Sequence, residues 1–369
     1  MGAVNKCTLG NKCTLGNKCA LGNKCAVGEK WGGVGGVIST GVRRGVHTGE
    51  VIPPVLRLGT RASTLALTQS TTVADALAKV TGREVELVRI RTEGDRNRAS
   101  LATLGGTGVF AAALREALLA GECDLAVHSL KDLPTAPVPG LSIGAIPPRA
   151  DSRDVLCARE GWTLATLSAG ARVGTGSPRR AAQLLAARPD LDIVDIRGNV
   201  ETRLGRVQPG DLDAVVLARA GLARVDRLAA VTDTLDPEVV VPAPGQGALA
   251  VECRTEDLAD PGHPLSAGLR ALDDHATRLA VTAERVVLRV LEAGCAAPLG
   301  ALARVEDGTL HLHATVVEHD GSRRLTHRAT ATVATDDAAQ ALTDAEALGT
   351  EVAEALLAAG AADITGRPA

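Results

Sequence analysis

Residues 55–92 read VLRLGTRASTLALTQSTTVADALAKVTGREVELVRIRT, and the hydrophobic pattern changes twice along them. VLRLGT at 55–60 is a short apolar run that is typical of a strand. Ser63 then provides a helix N-cap ahead of an Ala- and Leu-rich run that extends to Val80. VELVRIRT at 85–92 predicts a second strand. A strand, a helix and a strand at this spacing predict a parallel strand pair joined by a helical crossover.

The alternation continues along the chain as far as residue 219. Further strands are predicted at 124–130, 172–176, 191–197 and 212–219, and further helices at 109–121, 177–189 and 199–207. A proline-rich passage, Pro134–Pro148, separates the first set from the second. This alternation predicts parallel sheets with helices on both faces, in two similar lobes. The extended run VVVPAPGQGALAVECR at 239–254 is predicted to be a crossover that returns to the first lobe.

The pattern changes beyond residue 270. AERVVLRVLEAG predicts a helix, and TLHLHATVVEH and RRLTHRATATV predict two strands joined by a hairpin turn at Asp320–Gly321. A long Ala-rich helix closes the chain, so this part is predicted to be a separate α+β domain. His311 and His313 alternate along one strand face, where either a metal-binding pair or a solvated sheet face is consistent with the pattern.

The predicted fold class is therefore α/β, with two lobes built on mixed or parallel sheets and a small C-terminal α+β domain. The predicted limits are 1–50 for a disordered cysteine-repeat extension, 55–148 with 245–268 for domain 1, 149–244 for domain 2 and 269–369 for domain 3.

Composition narrows the class of protein. The formal net charge of −3 and the sequence pI of about 6.3 argue against a general nucleic-acid or anionic-membrane binder. No stretch approaches the roughly 18 apolar residues that a membrane span needs. A lysine recurs every six residues near the N-terminus, which excludes an apolar signal-peptide core there. We expect a cytoplasmic protein that binds neither nucleic acid nor membrane.

A hexapeptide repeat, NKCTLG with small variations, occupies the first thirty residues. It places Cys7, Cys13, Cys19 and Cys25 six residues apart. Six residues rotate a helix by roughly 600°, so the thiols share no helix face, and in a strand they lie roughly 20 Å apart. Zinc sites favour closer pairs. We therefore predict no metal site here.

The other cysteines are scattered along the chain. Cys123, Cys157 and Cys253 sit in or beside apolar runs and are predicted to be small buried hydrophobic residues. Cys295 differs, because glycine precedes it and proline and glycine follow it closely. It is predicted to present its thiol on a loop.

VGTGSPRR at 173–180 predicts a capped helix with an unusual first turn. Ser177 is a favourable N-cap, and Pro178 suits the first helical position. Arg179 and Arg180 follow, although the helix dipole favours acidic residues there. Together with the free N–H groups, they predict an anion site. The alternative is an ordinary helix start with two solvated arginines.

Other arginines occupy similar strand-to-helix junctions. Arg197 ends a predicted strand, Arg203 lies in the next helix, and Arg61 and Arg224 follow two other strands. Ligands of open α/β sheets bind at the carboxyl ends of strands. Several guanidinium groups in one cleft suit a substrate with many carboxylates. Phosphate is the competing ligand, but the chain contains no P-loop motif.

DLAVHSLKDLPT at 124–135 ends an apolar strand in polar residues. His128, Ser129, Lys131 and Asp132 come together at its carboxyl end. Beside an arginine-rich cleft, these groups suit acid–base or cation-stabilising chemistry. The alternative is that Lys131 and Asp132 form a surface turn.

These segments belong to a longer series of motifs, which runs from residue 55 to residue 365. The motifs are LRLGTRASTLALTQS, GGTGVFAAALREALL, DLAVHSLKDLPT, RVGTGSPRRAAQLL, IRGNVETRL, DAVVLARAGLARV, PAPGQGALAVECR and EAGCAAPLG. In this order they resemble the porphobilinogen deaminase, or hydroxymethylbilane synthase, family. The resemblance implies two lobes like those of type-II periplasmic binding proteins and a small α+β domain. It also implies a reaction in which four porphobilinogens are joined head to tail with loss of ammonia.

The resemblance also implies roles for individual residues. Cys295 matches the cysteine that holds a dipyrromethane cofactor through a thioether, and Asp132 matches the catalytic carboxylate. The positions matching arginines that bind cofactor or substrate carboxylates are Arg61, Arg179, Arg180, Arg197, Arg203 and Arg224. The positions matching cofactor contacts are Ser63, Ser129, Lys131, Thr175 and Ser177. Phe110 matches an aromatic residue near a pyrrole, whereas Thr107 stands where many relatives have lysine.

The chemistry of that reaction agrees with the residues. Each porphobilinogen carries two carboxylates, so an acidic protein must concentrate arginine in its cleft. Loss of ammonia leaves a methylene-pyrrolenine cation, which a carboxylate in a low-dielectric site stabilises. We expect a monomer. The alternatives are a non-catalytic two-lobe anion-binding protein, which does not account for Cys295, and a transcriptional effector-binding domain, for which no DNA-binding helix pair is visible.

Overall fold

The computed structural model describes residues 55–90, 109–260, 262–292, 297–333 and 337–366, all within one unit, Pro53–Ala369. Some of the predictions above concern other residues. The cysteine repeat, Thr107 and Cys295 lie outside the described residues, as does the side chain of Phe110.

The first part of the first lobe follows the predicted order of strands and helices. Its elements are β1 (Leu56–Thr60), α1 (Thr64–Thr81), β2 (Val85–Arg89), α2 (Val109–Leu119), β3 (Leu125–Ser129), a one-turn 3-10 helix (Leu130–Asp132) and β4 (Leu141–Ala145). The Oγ of Ser63 caps α1 as predicted, at 3.3 Å from the N–H of Ala66. β1 pairs in parallel with both β2 and β3, which confirms the parallel pair expected from residues 55–92.

The second lobe repeats this arrangement. Its elements are β5 (Asp154–Ala158), β6 (Arg172–Gly174), α3 (Pro178–Ala187), β7 (Asp192–Val194), α4 (Val200–Leu204), β8 (Ala214–Ala218), α5 (Arg219–Arg224) and β9 (Asp233–Thr234). The strand order is β7-β6-β8-β5-β9, with β6 parallel to β7 and β8, and β5 antiparallel to β8 and β9. The sheet is therefore mixed.

The chain then returns to the first lobe, as predicted. β10 (Leu249–Arg254) enters the first sheet between β3 and β4 and runs antiparallel to both. The resulting order is β2-β1-β3-β10-β4, so this sheet is also mixed. β4 and β5, which the sequence pattern did not identify, lie inside and just after the proline-rich passage. The chain therefore crosses between the lobes twice, from β4 to β5 and from β9 to β10.

The third domain is a three-stranded antiparallel sheet covered by helices. Its elements are α8 (His275–Val290), β11 (Leu299–Glu306), β12 (Thr309–Val317), β13 (Arg324–Thr332), α9 (Ala338–Ala358) and α10 (Ala361–Thr365). The predicted turn at Asp320–Gly321 joins β12 and β13, and Gly321 has a φ of +80°. β11 was not predicted. Leu279 and Val287 of α8 pack with Leu348 of α9 in the buried core of this domain.

Two short helices lie between β10 and the third domain: α6 (Thr255–Ala259) and α7 (Pro264–Leu272). Leu265 and Leu269 of α7 are buried with Leu77 of α1 in the core of the first lobe. The predicted domain limit after residue 268 therefore falls inside a helix that packs on the first lobe. The predicted domain limits stay predictions.

Within the described ranges, no helix is both long enough and apolar enough to cross a membrane. Nor do three His, Cys, Asp or Glu residues approach one another there in a way that could hold a metal ion. His311 and His313 of β12 lie opposite Arg304 and Arg328 on the neighbouring strands. Burial and Arg328 lower the pKa of His313. A cationic environment of this kind disfavours a metal ion.

Candidate active site

A small cavity of about 40 Å³ lies between the two lobes. Gln69 of α1 and Ser129 at the end of β3 line it from the first lobe, as does Lys131. Arg224 lines it from the second lobe. Gly247 lines it from residues 239–254, which bring the chain back to the first lobe and are called the returning segment below. The cavity thus lies at the carboxyl ends of the central strands of both lobes, where ligands of α/β sheets bind.

The returning segment passes very close to the start of the second lobe. Gly247 has a φ of +89°, and a Cβ at this position would lie 2.4 Å from the carbonyl oxygen of Ala150. Only glycine allows this backbone conformation and this approach. Its carbonyl oxygen accepts a hydrogen bond of 2.7 Å from Nη2 of Arg224, which joins the second lobe to the segment. Burial lowers the pKa of Arg224.

Lys131 and Asp132 lie on the 3-10 turn that follows β3. Nζ of Lys131 donates a hydrogen bond of 3.3 Å to Oε1 of Gln246, and burial lowers the pKa of the ammonium to about 8 against the attraction of Asp132. Ser129 precedes the turn, and its Oγ accepts a hydrogen bond of 3.0 Å from Nε2 of Gln69. Two of the predicted residues on this stretch, Ser129 and Lys131, therefore line one cavity, and Asp132 directly follows Lys131 in the chain.

Asp132 differs from its predicted environment. The reaction chemistry called for a carboxylate in a low-dielectric site, but the side chain of Asp132 is exposed. The reason is that the 3-10 turn directs Leu130 and Leu133 into the core and so leaves Asp132 facing outward. In the absence of substrate, water reaches this carboxylate.

Arg179 and Arg180 are buried, and both bind Asp154 at the start of β5. Nη2 of Arg179 lies 2.7 Å from Oδ2 of Asp154. Nε and Nη2 of Arg180 lie 3.0 and 2.7 Å from Oδ1 of Asp154. The same arginines donate to the carbonyl oxygens of Val241 and Val216, at 2.6 and 3.2 Å. Burial acts to raise the pKa of Asp154, but the two arginines overcome this and hold its pKa well below the ordinary value.

The burial of Arg179 and Arg180 rules out the alternative in which both are solvated. The predicted anion site stays a prediction, and any external anion there has to share the two arginines with Asp154. The pairing with Asp154 also explains why they occur in the first turn of a helix, where the dipole disfavours cations. Arg179, Arg180 and Asp154 together are called the arginine group below. It has two positive charges and one negative charge, and so a net positive charge. Moreover, among the described residues none accepts a hydrogen bond from the buried Nε of Arg179.

Gln246 connects this group to Lys131. Its Nε2 donates to Oδ1 of Asp154 at 2.8 Å and to the carbonyl oxygen of Ser152 at 2.7 Å, while its Oε1 accepts from Lys131. The side-chain amide of Gln246 therefore binds three different partners. A single side chain of the returning segment therefore links a lysine of the first lobe to the arginine group of the second.

The third domain joins the same segment through Glu284 of α8. This glutamate is fully buried and binds Arg149 through two hydrogen bonds of 2.6 and 3.0 Å. It also accepts hydrogen bonds from the backbone N–H groups of Gly245 and Ala303, at 2.6 and 2.7 Å. Nε of Arg149 in turn donates to the carbonyl oxygen of Gln246 at 2.8 Å. The buried charge is thus fully hydrogen-bonded.

Arg203 and Arg197 extend the positive charge toward solvent. Nε of Arg203 donates to the carbonyl oxygen of Gly198 at 2.8 Å. Burial lowers the pKa of Arg203, and the nearby charges of Arg180 and Arg197 lower it further. The side chain of Arg197 is 81% exposed, with its Nε 3.5 Å from Asp195. A nearby anion would relieve this repulsion between like charges.

The remaining predicted residues lie at strand-to-helix junctions. Arg61 is half-buried directly after β1, and Ser63 caps α1. Ser177 caps α3, and its backbone N–H donates to Oγ1 of the buried Thr175 at 3.2 Å. In these positions Ser63 and Ser177 stabilise the first turns of the helices that follow them.

Sequence reasoning missed Asp154, Gln246, Arg149 and Glu284. Signals for some of them were present: Asp154 is a charged residue at the head of the apolar run DVLCA, and Gln246 stands between two glycines in a quoted motif. Glu284 lies on the apolar face of AERVVLRV, where a charge is unexpected. Nothing in the sequence indicated which residue each of them binds.

Comparison with known proteins supports the resemblance. The family model "Porphobilinogen deaminase, dipyromethane cofactor binding domain" matches residues 56–259, and "Porphobilinogen deaminase, C-terminal domain" matches residues 278–358. A porphobilinogen deaminase of Leifsonia xyli is 58% identical over 84% of this chain and 94% of its own length. One from Thermobifida fusca is 57% identical over 84% of this chain and 95% of its own length.

Solved structures show a weaker similarity. A periplasmic substrate-binding protein of an ABC transporter from Coxiella burnetii is 16% identical over 59% of this chain and 91% of its own length, with a TM-score of 0.38. Because a score this low assigns no fold, the fold rests on the two mixed five-stranded sheets and the three-stranded sheet described above. The family models and the relatives together cover both lobes and the third domain, and the chain belongs to the porphobilinogen deaminase family.

Proposed function

We propose that the cleft between the lobes joins four porphobilinogen molecules head to tail, with release of ammonia, to give hydroxymethylbilane. This makes the chain a transferase of tetrapyrrole, and hence porphyrin and heme, biosynthesis. The observation that carries the proposal is the link from Lys131, which lines the cavity next to Asp132 in the chain, through Gln246 to the buried group of Asp154, Arg179 and Arg180. Chemistry on a substrate with two carboxylates requires both features, a reacting carboxylate and several cations.

The residues at the cavity fit the dipyrromethane cofactor of the family. That group carries several carboxylates, and the cluster of Lys131, Arg179 and Arg180 with Asp154 has an excess of positive charge. The unmatched Nε of Arg179 is one buried donor that a bound carboxylate can satisfy. We propose that Lys131, Arg179 and Arg180 hold the carboxylates, assisted by the hydroxyl groups of Ser129, Thr175 and Ser177.

The proposed attachment point is Cys295. When bound there through a thioether, the dipyrromethane supplies a pyrrole carbon as the nucleophile to which substrate is joined. The thiol is the natural nucleophile for capturing a pyrrole methylene group. A covalent tether also keeps the growing chain from diffusing away between additions. Cys123, Cys157 and Cys253 are buried, and burial raises their pKa values, to about 11, about 11 and about 12. They are therefore poor nucleophiles.

Asp132 is the proposed catalytic carboxylate. Its charge stabilises the cation that substrate forms on losing ammonia, and its oxygen holds the proton passed between the leaving amine and the condensing ring. Water reaches Asp132 in the free enzyme. Bound substrate excludes this water and lowers the local dielectric, which strengthens the interaction when the charge develops.

The outer arginines are the proposed substrate ligands. Arg197, Arg203 and Arg224, together with Arg61, present guanidinium groups that match the acetate and propionate groups of each porphobilinogen. Ser63 and Phe110 complete the proposed substrate site, with Phe110 near a pyrrole ring. We further propose that the protein is a cytoplasmic monomer that binds neither nucleic acid nor membranes.

Intact mass of the purified protein tests the proposal. The wild-type chain should weigh more than its sequence by one dipyrromethane unit, whereas Cys295→Ala should have the sequence mass and no activity. Cys253→Ala is the matched control and should keep both adduct and activity. An adduct that survives Cys295→Ala, or that is found on the N-terminal repeat, contradicts the assignment.

A further inference from the structure

The third domain contacts the 3-10 turn Leu130–Asp132 through Arg285 of α8. This turn is called the catalytic turn below, because it carries the proposed catalytic residue Asp132. Nη1 of Arg285 donates to the carbonyl oxygens of Leu133 and Leu130, at 2.8 and 3.3 Å. Its Nη2 donates to the carbonyl oxygen of Pro134 at 2.8 Å. One half-buried guanidinium therefore binds the residues on either side of Lys131 and Asp132.

The backbone of this turn alone determines where Asp132 lies. In the part of the chain that the structure describes, no hydrogen bond or ion pair holds the Asp132 carboxylate, and its side chain is exposed. The turn is one 3-10 turn long and ends with a hydrogen bond of 3.1 Å from the N–H of Leu133 to the carbonyl oxygen of Leu130. Hydrogen-bond geometry in 3-10 turns is poor, so a turn this short is easily deformed. An external donor that binds both of its ends therefore limits the positions that Asp132 can reach.

We propose that Arg285 is a positioning residue for the proposed catalytic carboxylate, acting through the backbone of the Leu130–Asp132 turn. The guanidinium suits this task because its planar fork donates several hydrogen bonds in fixed directions. Arg285 is not among the described residues that line the cavity between the lobes, and the three partners named above are carbonyl oxygens of the chain.

The neighbouring residue makes the arrangement more rigid. Glu284 binds the returning segment through Gly245, as described above, and Leu130 packs against Gly245. Consecutive residues of α8 thus hold the catalytic turn and the segment that carries Gln246. The same helix ends at Val290, shortly before Cys295. The helix that precedes the proposed cofactor cysteine in the chain is therefore also the one that holds the turn of the proposed catalytic carboxylate.

The test compares Arg285→Met and Arg285→Lys with Arg278→Met. Arg278 is a matched control, because it lies on the same helix face and its Nη2 approaches a first-lobe carbonyl, that of Ile143 at 3.5 Å, but not the turn. Each variant is purified as the cofactor-bearing enzyme, and its adduct content is measured by intact mass. Steady-state kcat and KM for porphobilinogen and amide hydrogen exchange of residues 130–133 are then measured.

We expect Arg285→Met to lower kcat per adduct-bearing molecule about 100-fold, because a displacement of about 1 Å at a reacting group costs this much. KM should stay within about threefold, since no substrate contact is lost. Exchange of the Lys131, Asp132 and Leu133 amides should become faster. Arg285→Lys should give intermediate values, because an ammonium reaches fewer of the three carbonyls, and Arg278→Met should keep kcat within about twofold.

A wild-type kcat in fully loaded Arg285→Met overturns the inference, as does an equal loss of kcat in Arg278→Met or unchanged amide exchange. If Arg285→Met does not fold, the same criteria apply to Arg285→Lys.

The inference rests on the proposed function of Asp132, and the two fail differently. Turnover in Asp132→Ala overturns that function, whereas an inactive Asp132→Ala alongside a fully active Arg285→Met overturns only the positioning role.

Discussion

Asp154 and Arg180 are joined by two hydrogen bonds to one carboxylate oxygen, with Nε and Nη2 of the guanidinium 3.0 and 2.7 Å from Oδ1. Neither side chain has meaningful contact with solvent. The arginines that the resemblance implies for ligand carboxylates are thus held by a carboxylate of the protein itself. A bound ligand has to share these donors with Asp154, and Arg179 and Arg180 are already oriented for it, which lowers the entropic cost of binding.

Asp154→Asn should lower the free energy of unfolding by about 3 kcal/mol, because it leaves two buried guanidinium groups without their counter-charge. Urea denaturation with an unchanged m-value is the measurement. Asp151→Asn is the control: Asp151 pairs with Arg153 near the surface, where removal of one partner costs only about 0–1 kcal/mol. Equal losses of unfolding free energy in the two variants would show that burial of Asp154 does not increase the cost of removing its charge.

Asp132→Ala should abolish turnover and leave the unfolding midpoint close to wild type, since the side chain is exposed and its proposed charge stabilisation is needed chiefly in the transition state. Asp132→Glu should keep a small residual activity. Consumption of porphobilinogen is followed together with thermal unfolding. A near wild-type rate in Asp132→Ala would refute the assignment of this carboxylate.

Arginine replacements should act at different stages of the reaction. Loss of Arg179 or Arg180 should block assembly of the cofactor, because these buried groups are proposed to hold its carboxylates. Loss of Arg197, Arg203 or Arg224 should instead leave the cofactor in place and stall elongation. Native mass spectra of enzyme-bound intermediates distinguish the two classes. The same distribution of intermediates in all five variants would contradict this division. Replacement by lysine should rescue only in part.

Lys131 should make stability depend on pH in the alkaline range. Burial lowers its pKa in the folded, cofactor-free chain to about 8, below the ordinary 10.5. Below pH 8 the buried ammonium therefore lowers the free energy of unfolding by its full amount. This destabilisation disappears as the pH rises from about 8 to 10.5, because the folded chain loses the proton at a lower pH than the unfolded chain. Relative to Lys131→Met, the cofactor-free wild type should become more stable over that range.

Urea midpoints of the two cofactor-free proteins at about pH 7 and about pH 10 measure this difference. Cofactor-free protein can be prepared on the Cys295→Ala background. Lys79→Met, which removes an exposed amine of α1, is the matched control. A stability difference between wild type and Lys131→Met that is the same at both pH values would show that the ammonium is not desolvated in the folded chain.

Much of the fold could be predicted from local sequence features. The strand and helix at Leu56–Thr60 and Thr64–Thr81 follow from a change of hydrophobic period and from the N-cap Ser63. The return of the chain as β10 was also predicted, but its position between β3 and β4 was not. β4 and β5 escaped prediction because short buried strands beside prolines have no clear period.

The sequence by itself determined which residue types stand at the ends of the strands, and hence that a polar, arginine-rich cleft would form, because strand ends and helix caps depend on neighbours only a few residues away. Only the tertiary structure decided how those charges are used: Arg180 reaches Asp154, Gln246 joins that pair to Lys131, and Arg285 holds the turn of Asp132. These partners lie far apart along the chain. The burial that makes each charge require a partner exists only once the lobes and the third domain have packed together.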